Sequence, residues 1–224
     1  MAFSDDLLDA GSEIWAAQFD HPFVTELATG ELDPVAFSRW LEQDYRYLFD
    51  YARTYAVAGA KAREEAAMAT LLGGAGAVLN EELDLHRSFA SEYGLSETDL
   101  AETVKTPTCE AYTSFLVRTA YERPVPVAIA ALFPCMQGYL DVADHMAALA
   151  DAEPAEISHR YAPFIEMYTS DEFRAETAAL RDLVDDHAAA SPGHRDAMRE
   201  AFLTSGRLEL AFWEMAYTGE GWLA

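Results

Sequence analysis

The stretch "DPVAFSRWLEQDYRYLFDYARTYAVAGAKAREEAA", which starts at Asp33, limits the possible fold more than any other part of the chain. Its apolar and aromatic residues recur at spacings of three and four, the period of one face of an α-helix and not the alternation of a strand. Asp33 is placed to cap the first turn, and Pro34 follows where a missing N–H costs nothing. The segment predicts one long helix. A rod of this length must bury its apolar stripe, so the other elements are expected to pack along it.

The remaining segments keep the same period. "EEAAMATLLGGAGAVLNEELDLHRSFASEYG" reads as a second helical stretch stopped by Gly94, with Gly73 and Gly74 marking a bend or a close helix contact. "PTCEAYTSFLVRTAYE", "VPVAIAALFPCMQGYLDVADHMAALA", "TSDEFRAETAALRDLVDDHAAA" and "HRDAMREAFLTSGRLELAFWEMAY" continue the pattern. Thr169 with Glu172, and Ser96 with Asp99, have the spacing of a capping box. Turn chemistry falls at "GLSET", "AEPAE" and "SPGH". No strand pattern, repeat or long linker interrupts, so residues 1–224 are expected to form one all-α domain, a helical bundle around a pocket or a solid core.

Charge narrows the partners. The chain carries 39 acidic against 15 basic residues, a formal net charge of -24, and Lys61 and Lys105 are its only lysines. Such a field repels nucleic acid and anionic membranes, so neither is expected as a partner. The acids are scattered, which suits a surface adapted to a high-salt cytoplasm, where concentrated salt screens self-repulsion. The N-terminal residues show no basic segment followed by an apolar stretch, so no secretion signal is expected, and Pro124, Pro126 and Pro134 are expected to cut the most apolar run short of a membrane span. With two cysteines in the chain, reduced thiols in the cytoplasm are the expectation.

Four short stretches gather reactive groups on single helix faces. Asp44, Tyr47 and Tyr51 recur at i, i+3 and i+7; Tyr112 falls near a helix start; Cys135 and Tyr139 lie four apart; Glu209 shares a face with Phe212 and Trp213. Taken singly, each has a plainer reading as core packing, because aromatics at helical spacing and cysteines are usually buried. Glu82 with His86, and Asp141 with His145, form acid-x-x-x-His pairs that would suit a di-metal oxidase. Di-iron bundles use Glu-x-x-His instead, and no further inward Glu pattern completes the set. His21, His159, His187 and His194 stand in polar surroundings and read as surface groups. Cys109 reads as an ordinary thiol at a helix start.

Taken together and in order, "LEQDYRYL", "PTCEAYTSFL", "ALFPCMQGYL", "YAPFIEMYTSDEF" and "LELAFWEMAY" resemble the signatures of the TenA/thiaminase II family over nearly the whole chain. The resemblance implies a haem-oxygenase-like helical fold, a homotetramer, and no metal or organic cofactor. It also implies a small-molecule substrate. The implied reaction is hydrolysis of the bond between a 4-amino-2-methylpyrimidine and its methylene substituent, in thiamin or in aminopyrimidine fragments of it, giving hydroxymethylpyrimidine for thiamin salvage. Residue by residue, it makes Cys135 the nucleophile and Glu209 the acid/base. Tyr47 would activate the thiol, Asp44 would read the aminopyrimidine, Tyr139 would touch substrate, and Tyr112, Tyr161 and Phe212 would wall the pocket. Met136, Gln137 and Gly138 stand where many relatives carry bulkier aromatics. Two readings compete with this one: the di-metal oxidase, and a non-catalytic relative that only binds pyrimidines.

Overall fold

The long helix forms as its pattern requires. In the computed structural model, which describes residues 2–150, 157 and 159–223, α4 runs unbroken over Pro34–Lys61. Asp33 caps it by accepting from the Val35 N–H at 2.9 Å, and Lys61 at its far end donates to the backbone carbonyls of Ala120, Tyr121 and Arg123. Those carbonyls lie where the next-but-three helix ends, and a cation there complements the helix dipole.

Twelve α-helices are present among the described residues. Three short ones, α1 (Phe3–Ala10), α2 (Ser12–Phe19) and α3 (Pro22–Thr29), precede α4. Next come α5 (Glu65–Ala77), a π turn over Val78–Glu82, α6 (Leu83–Glu92), α7 (Glu97–Glu102) and α8 (Pro107–Glu122). The chain continues through α9 (Val125–Leu149), α10 (Ala162–Thr169), α11 (Asp171–Ala190), a 3-10 turn over Pro192–His194 and α12 (Arg195–Thr218). The described residues contain no strand. The central packing is α9 on α12 and α11, with α4 laid against α5, α8 and α12. One continuous apolar cluster joins them, with Trp40, Leu132, Phe133, Phe164 and Phe202 fully buried.

Four sequence expectations need correction or placement. Pro126 and Pro134 do not cut the apolar run: α9 is 25 residues long with Pro134 inside it. Bundle packing tolerates the missing N–H, and the hydroxyls of Ser205 and Tyr51 donate to the carbonyls of Ala131 and Leu132 in the preceding turn. The helix is long and apolar enough to cross a membrane, but 89% of its most apolar window is buried inside the bundle. The Ser96–Asp99 capping box is present. The cap of α11 is Ser170, which accepts from the Phe173 N–H at 3.2 Å, and not Thr169. The Thr169 hydroxyl bonds back to the Ile165 carbonyl at 2.8 Å and keeps that residue in α10. The "AEPAE" turn lies outside the described residues.

Gly74 is a close helix contact, since a Cβ there would stand 2.9 Å from the Tyr55 ring, whereas Gly73 faces open space. Nor are all the histidines surface groups. His21 is buried and caps α3, its Nδ1 accepting from the Phe23 N–H at 3.1 Å and its Nε2 facing Glu214. His159 accepts from the Tyr161 N–H and donates to the Ala28 carbonyl. His187 and His194 are partly exposed.

Candidate active site

Near the middle of α4 the i, i+3, i+7 face points inward, and Asp44, Tyr47 and Tyr51 are all buried. They meet Cys135 and Tyr139 of α9 around a small cavity of about 10 Å³, closed by Leu48, Glu82, Met136, Tyr168 and Phe173. Helical periodicity thus delivers a carboxylate and two phenols from one rod, and a thiol and a third phenol from another.

The Asp44 oxygen Oδ2 lies 2.6 Å from Nε2 of His86. The other ring nitrogen of His86 faces the Glu82 carbonyl at 2.9 Å. Both nitrogens face acceptors, an arrangement that favours the doubly protonated ring. Burial alone would lower its pKa, yet the hydrogen bond and charge of Asp44, with Glu82, outweigh burial and raise it. Asp44 is therefore held in place through one oxygen.

Cys135 keeps partial exposure. Burial pushes its thiol well above the usual range, and the Glu209 carboxyl adds to that, while the Tyr47 hydroxyl pulls it down. The Tyr47 hydroxyl is itself buried with no hydrogen-bond partner among the described residues. Such an orphan costs about 1–3 kcal/mol unless something arrives to accept from it. A thiolate at Cys135 would.

Behind the thiol, α12 contributes Glu209, 2% exposed. It accepts from the Tyr112 hydroxyl at 2.6 Å, and that hydroxyl lies 2.8 Å from Ser205 Oγ, which donates to the Ala131 carbonyl at 2.7 Å. Burial raises the Glu209 pKa to about 8 against the opposing pull of the Tyr112 hydroxyl and the Cys135 thiol. Tyr112 donates to Glu209 while that carboxyl is ionised; when Glu209 takes up a proton the bond reverses, Glu209 donating to Tyr112, Tyr112 to Ser205, and Ser205 to the carbonyl. Phe212 packs edge-on against Tyr47 at 5.8 Å. Tyr139 accepts from Trp40 Nε1 at 3.1 Å and packs on Trp213 and Tyr168.

Tyr161 is elsewhere. Its hydroxyl donates to the Leu32 carbonyl at 2.6 Å and its ring packs on Phe37 and Tyr93. The wall position belongs to Tyr168, two turns further along, because α10 begins only after Tyr161 and aims its later residues at the cavity. Sequence reasoning also missed His86 as the partner of Asp44. It paired that residue with Glu82 in a metal set, yet His86 is spent on Asp44 and a backbone carbonyl. In the other pair, Asp141 accepts from Trp15 and Gln137, and His145 stacks on Phe19. No group of three His, Cys, Asp or Glu among the described residues could hold a metal ion. Cys109 is buried at the start of α8, facing the Gln43 carbonyl at 3.5 Å, and burial pushes its thiol up to about 12.

A helical bundle with its reactive groups enclosed between long central helices defines a haem-oxygenase-like architecture, and a cyanobacterial haem oxygenase-1 from Synechocystis shares it at a TM-score of 0.61 over 96% of this chain and 92% of that one, with 15% identity. Within that class the sequence is more specific. The chain belongs to the TENA/THI-4/PQQC family, whose pattern matches residues 8–219. It is 34% identical, over 99% of its length and 98% of the relative's, to a protein of Halalkalibacterium halodurans named aminopyrimidine aminohydrolase. The solved structure of a TenA homologue from P. horikoshii OT3 superposes with a TM-score of 0.90, covering 98% of this chain and all of that one at 30% identity.

Proposed function

We propose that the protein is a hydrolase of thiamin salvage that converts 4-amino-5-aminomethyl-2-methylpyrimidine to the hydroxymethyl compound, cleaves thiamin to the same product, or does both. The observation that carries this reading is the Cys135 thiol set between an unpartnered phenol, Tyr47, and a carboxyl shifted to about 8, Glu209. The names of relatives such as the H. halodurans protein support it.

In this reading the pyrimidine stacks among Tyr47, Tyr139 and Tyr168, and its amino group donates to the free oxygen of Asp44, which His86 holds in place. Cys135 adds to a ring carbon. As the S–C bond forms, the thiol proton passes to Glu209 and a proton from Glu209 reaches the ring nitrogen, while Tyr47 donates to the sulfur. The electron-rich ring then expels the substituent from its methylene carbon, as ammonia from an ammonium or as neutral thiazole from thiamin. Water adds to that carbon and the thiol is regenerated. Tyr112 sets the proton on Glu209, and Phe212 backs Tyr47. The cavity is too small for a ring, so entry requires Met136 and Phe173, which close it, to swing aside.

The same proposal takes the chain as one domain assembled into a homotetramer in a salt-rich cytoplasm, with no cofactor. Met68, Leu72 and Leu79, exposed along α5 and the turn after it, offer an apolar face for assembly. The decisive experiment follows hydroxymethylpyrimidine release from thiamin and from the aminomethyl compound, in molar salt, with and without chelator. Release from either substrate, indifferent to chelator, is expected. Release from neither overturns the reaction class, and loss on chelation overturns the metal-free mechanism.

A further inference from the structure

A second, larger cavity of about 360 Å³ adjoins the first, and the two share four residues: Glu82, Met136, Tyr168 and Phe173. It is the side from which a ring substituent would leave and water arrive. Glu209 lines neither cavity. It serves the closed end, behind the thiol. At the junction the one carboxyl that borders both spaces is Glu82, which closes the π turn between α5 and α6. Such a turn adds a residue to a helix and re-aims side chains, and it recurs at functional sites. The Glu82 carboxyl is lightly held: it is partly exposed, and its hydrogen bond is a 3.5 Å contact from the Tyr168 hydroxyl.

Building on the function proposed above, we propose that Glu82 is the catalytic base that deprotonates the water replacing the departed group. After departure, the ring still bonded to Cys135 carries an electrophilic exocyclic methylene. The water oxygen forms the new C–O bond, one water proton moves to a Glu82 oxygen, and the π electrons of the methylene return to the ring. The S–C bond then breaks and restores the ring, sulfur recovers a proton from Glu209 as the ring nitrogen returns one, and Glu82 releases its proton to the outer cavity. The titratable groups around Glu82 are His86 of α6, Asp44 and Tyr55 of α4, Cys135 of α9, Glu176 of α11 and Tyr168 of α10. Burial raises its pKa to about 7; His86 and the Tyr168 hydroxyl oppose that, and Asp44 and Glu176 add to it. The base is therefore ionised above about pH 7, in the range where proton transfer is most effective.

The test is a competition between water and azide, an anion with no proton to lose, followed as the ratio of azidomethylpyrimidine to hydroxymethylpyrimidine. That ratio does not depend on which step limits turnover. In Glu82→Gln the ratio should rise about a hundredfold, the usual worth of a general base. Glu176→Gln, which removes a charge from the outer wall alone, should stay within a few fold of wild type. In the wild type the azide share should fall as pH rises through about 7, so the assignment is also tested without a variant. An unchanged ratio in Glu82→Gln, an equal rise in Glu176→Gln, or a wild-type ratio flat with pH overturns it. A wild type that releases hydroxymethylpyrimidine from neither substrate overturns the reaction class first, and this role with it.

Discussion

The Tyr47 hydroxyl has a proton to offer and no hydrogen-bond partner for it among the described residues, which makes it a measurable device. Alkylation of Cys135 by iodoacetamide follows the thiolate, so its rate rises with pH through the thiol's pKa. Cys109 is fully buried and out of the reagent's reach, whereas Cys135 keeps partial exposure, which leaves one reporting thiol. Tyr47 pulls the Cys135 pKa down; its removal must therefore move the alkylation profile to higher pH. A hydrogen bond to a charged group is worth about 1.5–3 kcal/mol, so Tyr47→Phe should shift the midpoint up by about 1–2 pH units. A profile that stays in place would remove Tyr47 as the activating group. Part of this site was legible before folding: spacing put Asp44 and Tyr47 on one helix face and Cys135 and Tyr139 on another, and the family resemblance, not the spacing, gathered them into a site. His86, Tyr168 and Ser205 were not. Each reaches the site across helices, and nothing local to a lone histidine, a tyrosine near a loop or a mid-helix serine says which neighbour it will meet.

At the scale of elements, two adjacent glycines separate local propensity from packing. Both lie in α5, where glycine costs about 1 kcal/mol against alanine. Gly73 has nothing within 4 Å of its absent Cβ, so Gly73→Ala should stabilise the protein by up to about 1 kcal/mol. Gly74→Ala would press on Tyr55, which packs edge-on against Tyr51 at 5.1 Å. Overpacking of this kind typically costs about 1–3 kcal/mol, and it should outweigh the propensity gain. Urea unfolding of both variants checks the pair, and a Gly74→Ala protein more stable than wild type would show that Tyr55 yields freely. Helix starts with a side-chain signal, such as Asp33 and Ser96, were readable, and so was the glycine stop at Gly94. Pro134 misled, because a proline's cost to an isolated helix is set aside when the helix is walled in by neighbours. The π turn had no signature at all: "AVLNEEL" continues the helical pattern, and the extra residue shows only in the backbone.

At the scale of the molecule, the net charge of -24 is spread over the surface, and dilute solvent leaves it unscreened. The melting temperature should rise by about 4 °C or more between dilute and molar salt, the change that about 1–2 kcal/mol produces in a domain of this size. An unchanged value would end the high-salt reading. Both lysines are already committed. Lys61 is bound to three carbonyls at the end of α8, and Lys105 is paired with Asp50 and donates to Thr113. An amine-directed label or cross-linker would meet side-chain amines that are spoken for by the fold itself. Attaching this protein to a support through lysine would mean opening a helix cap or an ion pair first, whereas coupling through carboxyl groups would find handles on every side.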